Sequence, residues 1–187
     1  MKLNVVLLFF FGLTSLTSCE NKSANILGNS TVVDSTNSHH QDLKSETNIE
    51  QIIFGVYCGE CGSHCATMYR YFIGSNQNSF SADFTDSYFK KTEITFETYF
   101  NDKFHFDIGN EIISKIPDTL LNSDKSSERF GCPDCTDGCG IYFEITKDSI
   151  KQKFYIDYQT SELTGDIKTF AEYLKGKITS LDKKNGY

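Results

Sequence analysis

Six of the seven cysteines in this 187-residue chain fall in two clusters of the same spacing, Cys58-x2-Cys61-x3-Cys65 and Cys132-x2-Cys135-x3-Cys139. Sulfur at that density has three chemistries. It closes disulfides, it binds a soft metal as thiolate, or it exchanges disulfides with a substrate. The even count lets all six pair, with a connectivity that spacing does not reveal. Each bridge contributes about 2–4 kcal/mol, more when it closes a long loop, and bridges between the clusters would tie two halves of one sheet together.

Which chemistry applies depends on compartment, because thiols stay reduced in the cytosol and oxidise outside it. Residues Met1 to Ser18 carry one positive charge, Lys2, then the apolar run Val5 to Leu13, then small polar residues. That is the layout of a secretory signal. The closing residues Leu16-Thr17-Ser18-Cys19 resemble the lipobox of bacterial envelope lipoproteins. The resemblance implies cleavage before Cys19, a diacylglyceryl thioether and an acylated amine on that residue, and a lipid anchor that holds the chain to a membrane outside the cytoplasm. Between Glu20 and Asn48 there is no Phe, Tyr or Trp, and 13 of 29 residues are Ser, Thr or Asn, too little apolar surface to offset chain entropy. Read as a flexible coil it spans roughly 30 Å, with His39-His40 as solvated spacer. The organisation expected is a signal over 1–18, a lipidated Cys19 with its tether over 19–48, and one globular domain over 49–187.

Export favours disulfides among Cys58, Cys61, Cys65, Cys132, Cys135 and Cys139, with no cofactor. Two alternatives stand beside that reading. Cys58-Gly59-Glu60-Cys61 and Cys132-Pro133-Asp134-Cys135 look like zinc knuckles, and Cys58, Cys61, Cys132 and Cys135 supply four thiolates for one tetrahedral zinc. Against it, 70 residues separate Cys61 from Cys132, and Cys65 and Cys139 are left over, with His64 as the nearest spare ligand. Cys58-Gly59-Glu60-Cys61 also follows a strand, as the redox motif of thioredoxin-like proteins does, and Ile116-Pro117 resembles their proline turn. That likeness implies a thiol-disulfide oxidoreductase using Cys58 and Cys61. No Trp precedes the motif, and residues 67–73 read as strand where that family has a helix.

The elements that must position these sulfurs are mostly strands. Apolar residues alternate at Ile52, Phe54 and Val56, at Tyr69, Tyr71 and Ile73, at Phe80, Ala82 and Phe84, at Ile94, Phe96 and Phe100, at Ile141, Phe143 and Ile145, and at Phe154, Ile156 and Tyr158. Period two with polar residues between predicts antiparallel strands with one solvated face. Ile167, Phe170, Ala171, Leu174, Ile178 and Leu181 switch to helical period, with Asp166 as the predicted N-cap. Ile108, Ile112, Ile113 and Ile116 predict a second helix that ends near Ser114 or Lys115, with Pro117 opening a further turn. The fold class expected is α+β, an antiparallel sheet with two helices. Phe54-Gly55 and Phe130-Gly131 each precede a cysteine cluster, so the order also fits a duplicated β-rich unit, each half ending in a helix.

Composition narrows function by exclusion. The chain is 39% hydrophobic and 23% charged, a globular balance, and no apolar run reaches the length of a membrane span. Its net charge of −7 becomes −8 without Lys2, which disfavours nucleic acid as a partner. No Ser nucleophile elbow, phosphate loop or metalloprotease helix is present. Glu60, Asp134 and Asp137 read as solvated loop carboxylates. The expected function is therefore a membrane-anchored, non-catalytic binding module for a protein, peptide or glycan, with Tyr69, Tyr71, Tyr99, Tyr142 and Tyr155 as candidate contact residues.

Overall fold

The computed structural model of the protein describes residues 48–135 and 138–187. The signal segment, Cys19, residues 20–47 with His39 and His40, and Asp137 lie outside the described residues. Seven strands, β1 (Ile49–Cys58), β2 (Ala66–Phe72), β3 (Ser79–Asp83), β4 (Thr98–Phe100), β5 (Ser127–Phe130), β6 (Cys139–Lys147) and β7 (Ile150–Asp157), form one sheet in the order β4-β3-β2-β1-β6-β7-β5. Every neighbouring pair is antiparallel except β5 and β7, which are parallel. Helices α1 (Ser87–Lys90), α2 (Lys103–Lys115), α3 (Asp118–Leu121) and α4 (Gly165–Asn185) complete an α+β fold. A strand, a cysteine cluster, further strands and a long helix follow one another in each half, but three strands, β2 to β4, stand before α2 and only two, β6 and β7, before α4. The pairing differs between the halves: β1 lies beside β2, the next strand in sequence, whereas β5 lies beside β7, leaving β6 free to pair with β1.

One face of the sheet carries the main core. Ile52 and Phe54 of β1, Tyr69 and Tyr71 of β2, Phe143 and Ile145 of β6 and Phe154 and Ile156 of β7 share it, as period two requires. The long helices cover it with their apolar stripes, Ile108 and Ile112 on α2 and Ile167 to Leu181 on α4. Asp102 caps α2, its Oδ1 accepting from the His105 amide at 3.3 Å, and the helix ends at Lys115 because Pro117 follows and heads α3. Gly109 sits inside α2, where it costs about 1 kcal/mol relative to Ala. Any Cβ there would lie 2.5 Å from the Tyr71 ring, so the glycine is what lets α2 settle this close to the sheet. The N-cap of α4 is Thr164 and not Asp166. Asp166 lies in the first turn instead, accepting from Ile167 N at 2.9 Å and from Thr119 Oγ1 at 2.5 Å, which ties α3 to α4.

The opposite face, expected to be solvated, is substantially covered. Ile53, Tyr57, Ala66, Met68 and Tyr142 are buried on it beneath Phe96, with Tyr88, Ile94 and Tyr155 packed alongside. The cover is the connection between β3 and β4. Alternation over 94–100 predicted one strand, but only Thr98–Phe100 pairs with β3; Ile94 and Phe96 lie on the second face while Phe100 packs into the main core. Ser81 and Asp83, expected to face water, are buried for the same reason. Asp83, 1% exposed, turns the chain back across the sheet: its oxygens accept from Thr85 N at 2.8 Å, Thr85 Oγ1 at 2.7 Å, Ser87 N at 2.9 Å and Ser87 Oγ at 2.6 Å. Ser87 Oγ in turn accepts from Thr95 N at 2.8 Å, closing the strap on itself. Asp86, left-handed at φ 59°, accepts from the amides of His64 and Ala66 and moors the strap to β2.

Candidate functional site

The sheet register assembles the site row by row on the second face. Across one row stand Arg70, Ile53, Glu144 and Lys153; across the next, Met68, Gly55, Tyr142, Tyr155 and Arg129. The third row brings Tyr57 opposite Gly140 and ends, one residue on, at the cysteines. A side chain on Gly140 would collide with the Tyr57 ring, so that glycine is what allows Tyr57 to lie across β6. There Tyr57 stacks on Tyr88 at 5.1 Å and meets Tyr155 edge-on at 6.4 Å, while Tyr142 meets Tyr88 at 5.4 Å and Tyr155 at 5.6 Å. Four tyrosines from β1, α1, β6 and β7 thus form one aromatic wall.

Beside that wall the strap leaves an open groove with two chambers, of about 390 and 430 Å³, that share Thr92, Ile94, Tyr142 and Lys153. The first is lined by the four tyrosines, Phe89, Lys91, Arg129 and Asp134; the second by Arg70, Phe96, Glu93, Glu144 and Lys151 among others. The chain has only two arginines, and both are here, each over an aromatic ring: Arg129 lies 5.0 Å from the Tyr155 centroid and Arg70 4.5 Å from that of Phe96. Five cations and three carboxylates line a groove on a chain of charge −7.

The cysteines stand at the end of this face as three pairs, Cys58–Cys139, Cys61–Cys65 and Cys132–Cys135. Cys58 and Cys139 are register partners on β1 and β6, with Cα atoms 4.0 Å apart, so the expected link between clusters is made at the centre of the sheet. The other two pairs close the loops that flank it. Those loops touch: Gly59 N donates to Gly138 O at 3.3 Å, and the Asp134 carboxylate fills the space a side chain on Gly59 would need. Cys58 and Cys61 do not pair with each other, and the four cysteines of the zinc alternative, Cys58, Cys61, Cys132 and Cys135, are divided among the three pairs. Among the described residues no group of three or more His, Cys, Asp or Glu is disposed to hold a metal. His64 is exposed and its amide is bound to Asp86. Glu60 is exposed, whereas Asp134 borders the first chamber.

No family model, curated protein or solved structure matches the chain.

Of the five tyrosines expected as contact residues, Tyr69 and Tyr71 are buried in the main core beneath the helices, and Tyr99 is 67% exposed on the β4 edge. Tyr142 and Tyr155 do belong to the groove. Sequence reasoning missed Tyr57, Tyr88, Phe89, Arg70, Arg129, Glu144 and Lys153. Strand parity marks Tyr57 and Tyr142, which fall out of phase with Phe54 and Phe143, and the rarity of arginine marks the other two.

Electrostatics makes Tyr57, Tyr88 and Tyr142 donors and not bases. Burial, then the Asp134 charge, pushes the Tyr57 phenol up to about 12, and burial holds Tyr88 and Tyr142 higher still, Tyr142 also through Glu144. A phenol raised from its ordinary value of 10 binds its proton more tightly in the native state, so the stability it contributes is complete below pH 10 and is lost as pH rises towards 12. In an alkaline titration followed by phenolate absorbance, fewer tyrosines of the native protein should ionise around pH 10 than of the urea-unfolded chain. Coincident titrations of the two forms would contradict the buried wall.

Proposed function

We propose that the protein is a non-catalytic binding module of the bacterial cell envelope, held to a membrane by lipid on Cys19, which engages a protein, peptide or glycan in the groove between strap and sheet. The observation that carries the reading is the groove itself: an aromatic wall with both arginines at its sides, built on a sheet that a disulfide closes at its centre. Protonated tyrosines and guanidinium groups are recognition chemistry, and aromatic and Arg side chains commonly dominate interface energy. The lipid anchor is supported by Leu16-Thr17-Ser18-Cys19 after the apolar run.

Two measurements on the full chain test this. Cys19→Ala should move the protein from the membrane pellet to the soluble fraction, and unchanged retention would remove the anchor. Phe89, 49% exposed at the groove mouth, and Arg129 are the variants for binding. On peptide and glycan arrays, Phe89→Ala and Arg129→Ala should each weaken the captured class by about tenfold with little change in thermal midpoint. Undiminished capture by both would place binding elsewhere. Cys132 and Cys135 are exposed and close a Cys-x2-Cys pair, which favours a thiol-disulfide oxidoreductase as the second reading. Disulfide reductase turnover that Cys132→Ser abolishes would establish it in place of the binding reading.

A further inference from the structure

The second chamber contains a carboxylate with half its bonding unfilled. Glu144 is 4% exposed; its Oε2 accepts from the Tyr142 hydroxyl at 2.5 Å, and its Oε1 is buried with no hydrogen-bond partner. Its register neighbours are Ile53 on β1 and Lys153 on β7. A buried carboxylate oxygen without a donor is unfavourable, and native proteins rarely leave one unfilled without a use for it. Here the residue forms part of a groove wall, where a turn of its carboxylate would bring the unfilled oxygen to a donor on an incoming molecule.

The same wall needs the opposite from its ligand elsewhere. Arg70, Lys153 and Arg129 offer only donors and positive charge, so they call for anionic acceptors. The rings of Tyr142 and Tyr155 add a flat, partly apolar surface with polar tips. An acidic peptide brings anions, but its donors are backbone amides set along the chain away from the carboxylates, and a neutral sugar brings hydroxyl donors without the charge. A sugar chain bearing acidic groups brings both, with carbon faces that lie against aromatic rings. Resting on the binding reading above and deepening it, we infer that the groove binds an acidic glycan, with a ring hydroxyl donating to Glu144 and carboxylate or sulfate groups meeting Arg70, Lys153 and Arg129.

The test uses the purified full chain and four probes: oligogalacturonate, chondroitin sulfate oligosaccharides, neutral galacto-oligosaccharides and hexaglutamate. At least one of the two acidic glycans should bind, more weakly as salt is raised, and which of them binds tells carboxylate from sulfate. The neutral sugar and the peptide should bind at least tenfold more weakly. Glu144→Gln keeps the shape and removes the charge. It should weaken glycan binding about tenfold while the urea midpoint of the free protein stays the same or rises, because a carboxylate lacking a donor has been removed. A midpoint that falls with binding unchanged would make Glu144 structural and overturn the inference. Failure of both acidic glycans would overturn it too. If hexaglutamate then binds in a manner that needs Arg129, the groove reading stands with a different ligand; if no peptide or glycan binds there at all, both readings fall.

Discussion

Replacing Cys58 and Cys139 by serine lowers the stability of the folded unit by about 4.5 kcal/mol, against about 2 kcal/mol for replacing Cys61 and Cys65 or Cys132 and Cys135. The difference comes from the loop each bridge closes in the unfolded chain. Cys58 and Cys139 are 81 positions apart, and the two local pairs only 4 and 3. Loop-closure entropy grows with the logarithm of that separation, so the central bridge restricts the unfolded ensemble most. The bridge also joins neighbouring strands at a register position in the middle of the sheet. Urea titrations of the three double-serine variants, fitted for midpoint and slope, check the order. Equal losses would mean that the two clusters are held together by packing and that the central bridge adds little.

Asp83→Ala is expected to cost roughly 3–5 kcal/mol, the scale of a buried charged group removed from its partners. Four donors converge on this carboxylate, two backbone amides and two hydroxyls, all from Thr85 and Ser87. Without it the Ser87 amide is left buried with no acceptor, and each charge-assisted bond lost is worth about 1.5–3 kcal/mol. Asp83→Asn, which replaces one acceptor oxygen by a donor, should fall between alanine and wild type. The effect is also local in a way stability alone does not reveal. If the strap detaches, Tyr57 and Tyr142 regain water, and their alkaline titration moves back towards the value of an ordinary phenol. A variant that loses stability with the tyrosine titration intact would show that Asp83 supports the core and not the strap.

Period two made most of the sheet legible. Ile52 and Phe54, Phe143 and Ile145, and Phe154 and Ile156 announce strands whose apolar side faces the helices, and Ile167 to Leu181 announces α4. Pro117 correctly divides α2 from α3. What the pattern does not convey is that the other face is also covered. Alternation is read as in and out, and it assigns Ser81 and Asp83 to water because they are polar. Asp83 is buried under donors two and four residues on that fold back over it, and Ser81 accepts from Arg70 on β2, neither of which alternation conveys. The same limit applies to Ile94 and Phe96, whose spacing suits a strand but which belong to the strap and pack on the second face of the sheet. Register is harder still. Which residue of β1 faces Cys139 follows from packing across 81 residues, so the sulfur pairing and the row holding Arg70, Glu144 and Lys153 had no local signature. The resulting site is dispersed over five strands, the strap with α1, and the loop that holds Asp134, with no short motif to betray it.

The placement of β1 has a kinetic consequence. Its neighbour on one side, β2, follows within ten residues, whereas its neighbour on the other, β6, begins only at Cys139. A chain made from its N-terminus can therefore build a sheet fragment from β1, β2 and β3 while one long edge of β1 stands open, with Ile52, Phe54 and Tyr57 along it. An unpaired central edge is a template for pairing with another molecule, and contacts between distant segments form slowly. The molecule's greatest hazard of self-association thus lies in the interval between completing its first three strands and receiving the sixth. In the finished sheet the outer positions are held by β4 and β5, of three and four residues, which offer little to an incoming strand.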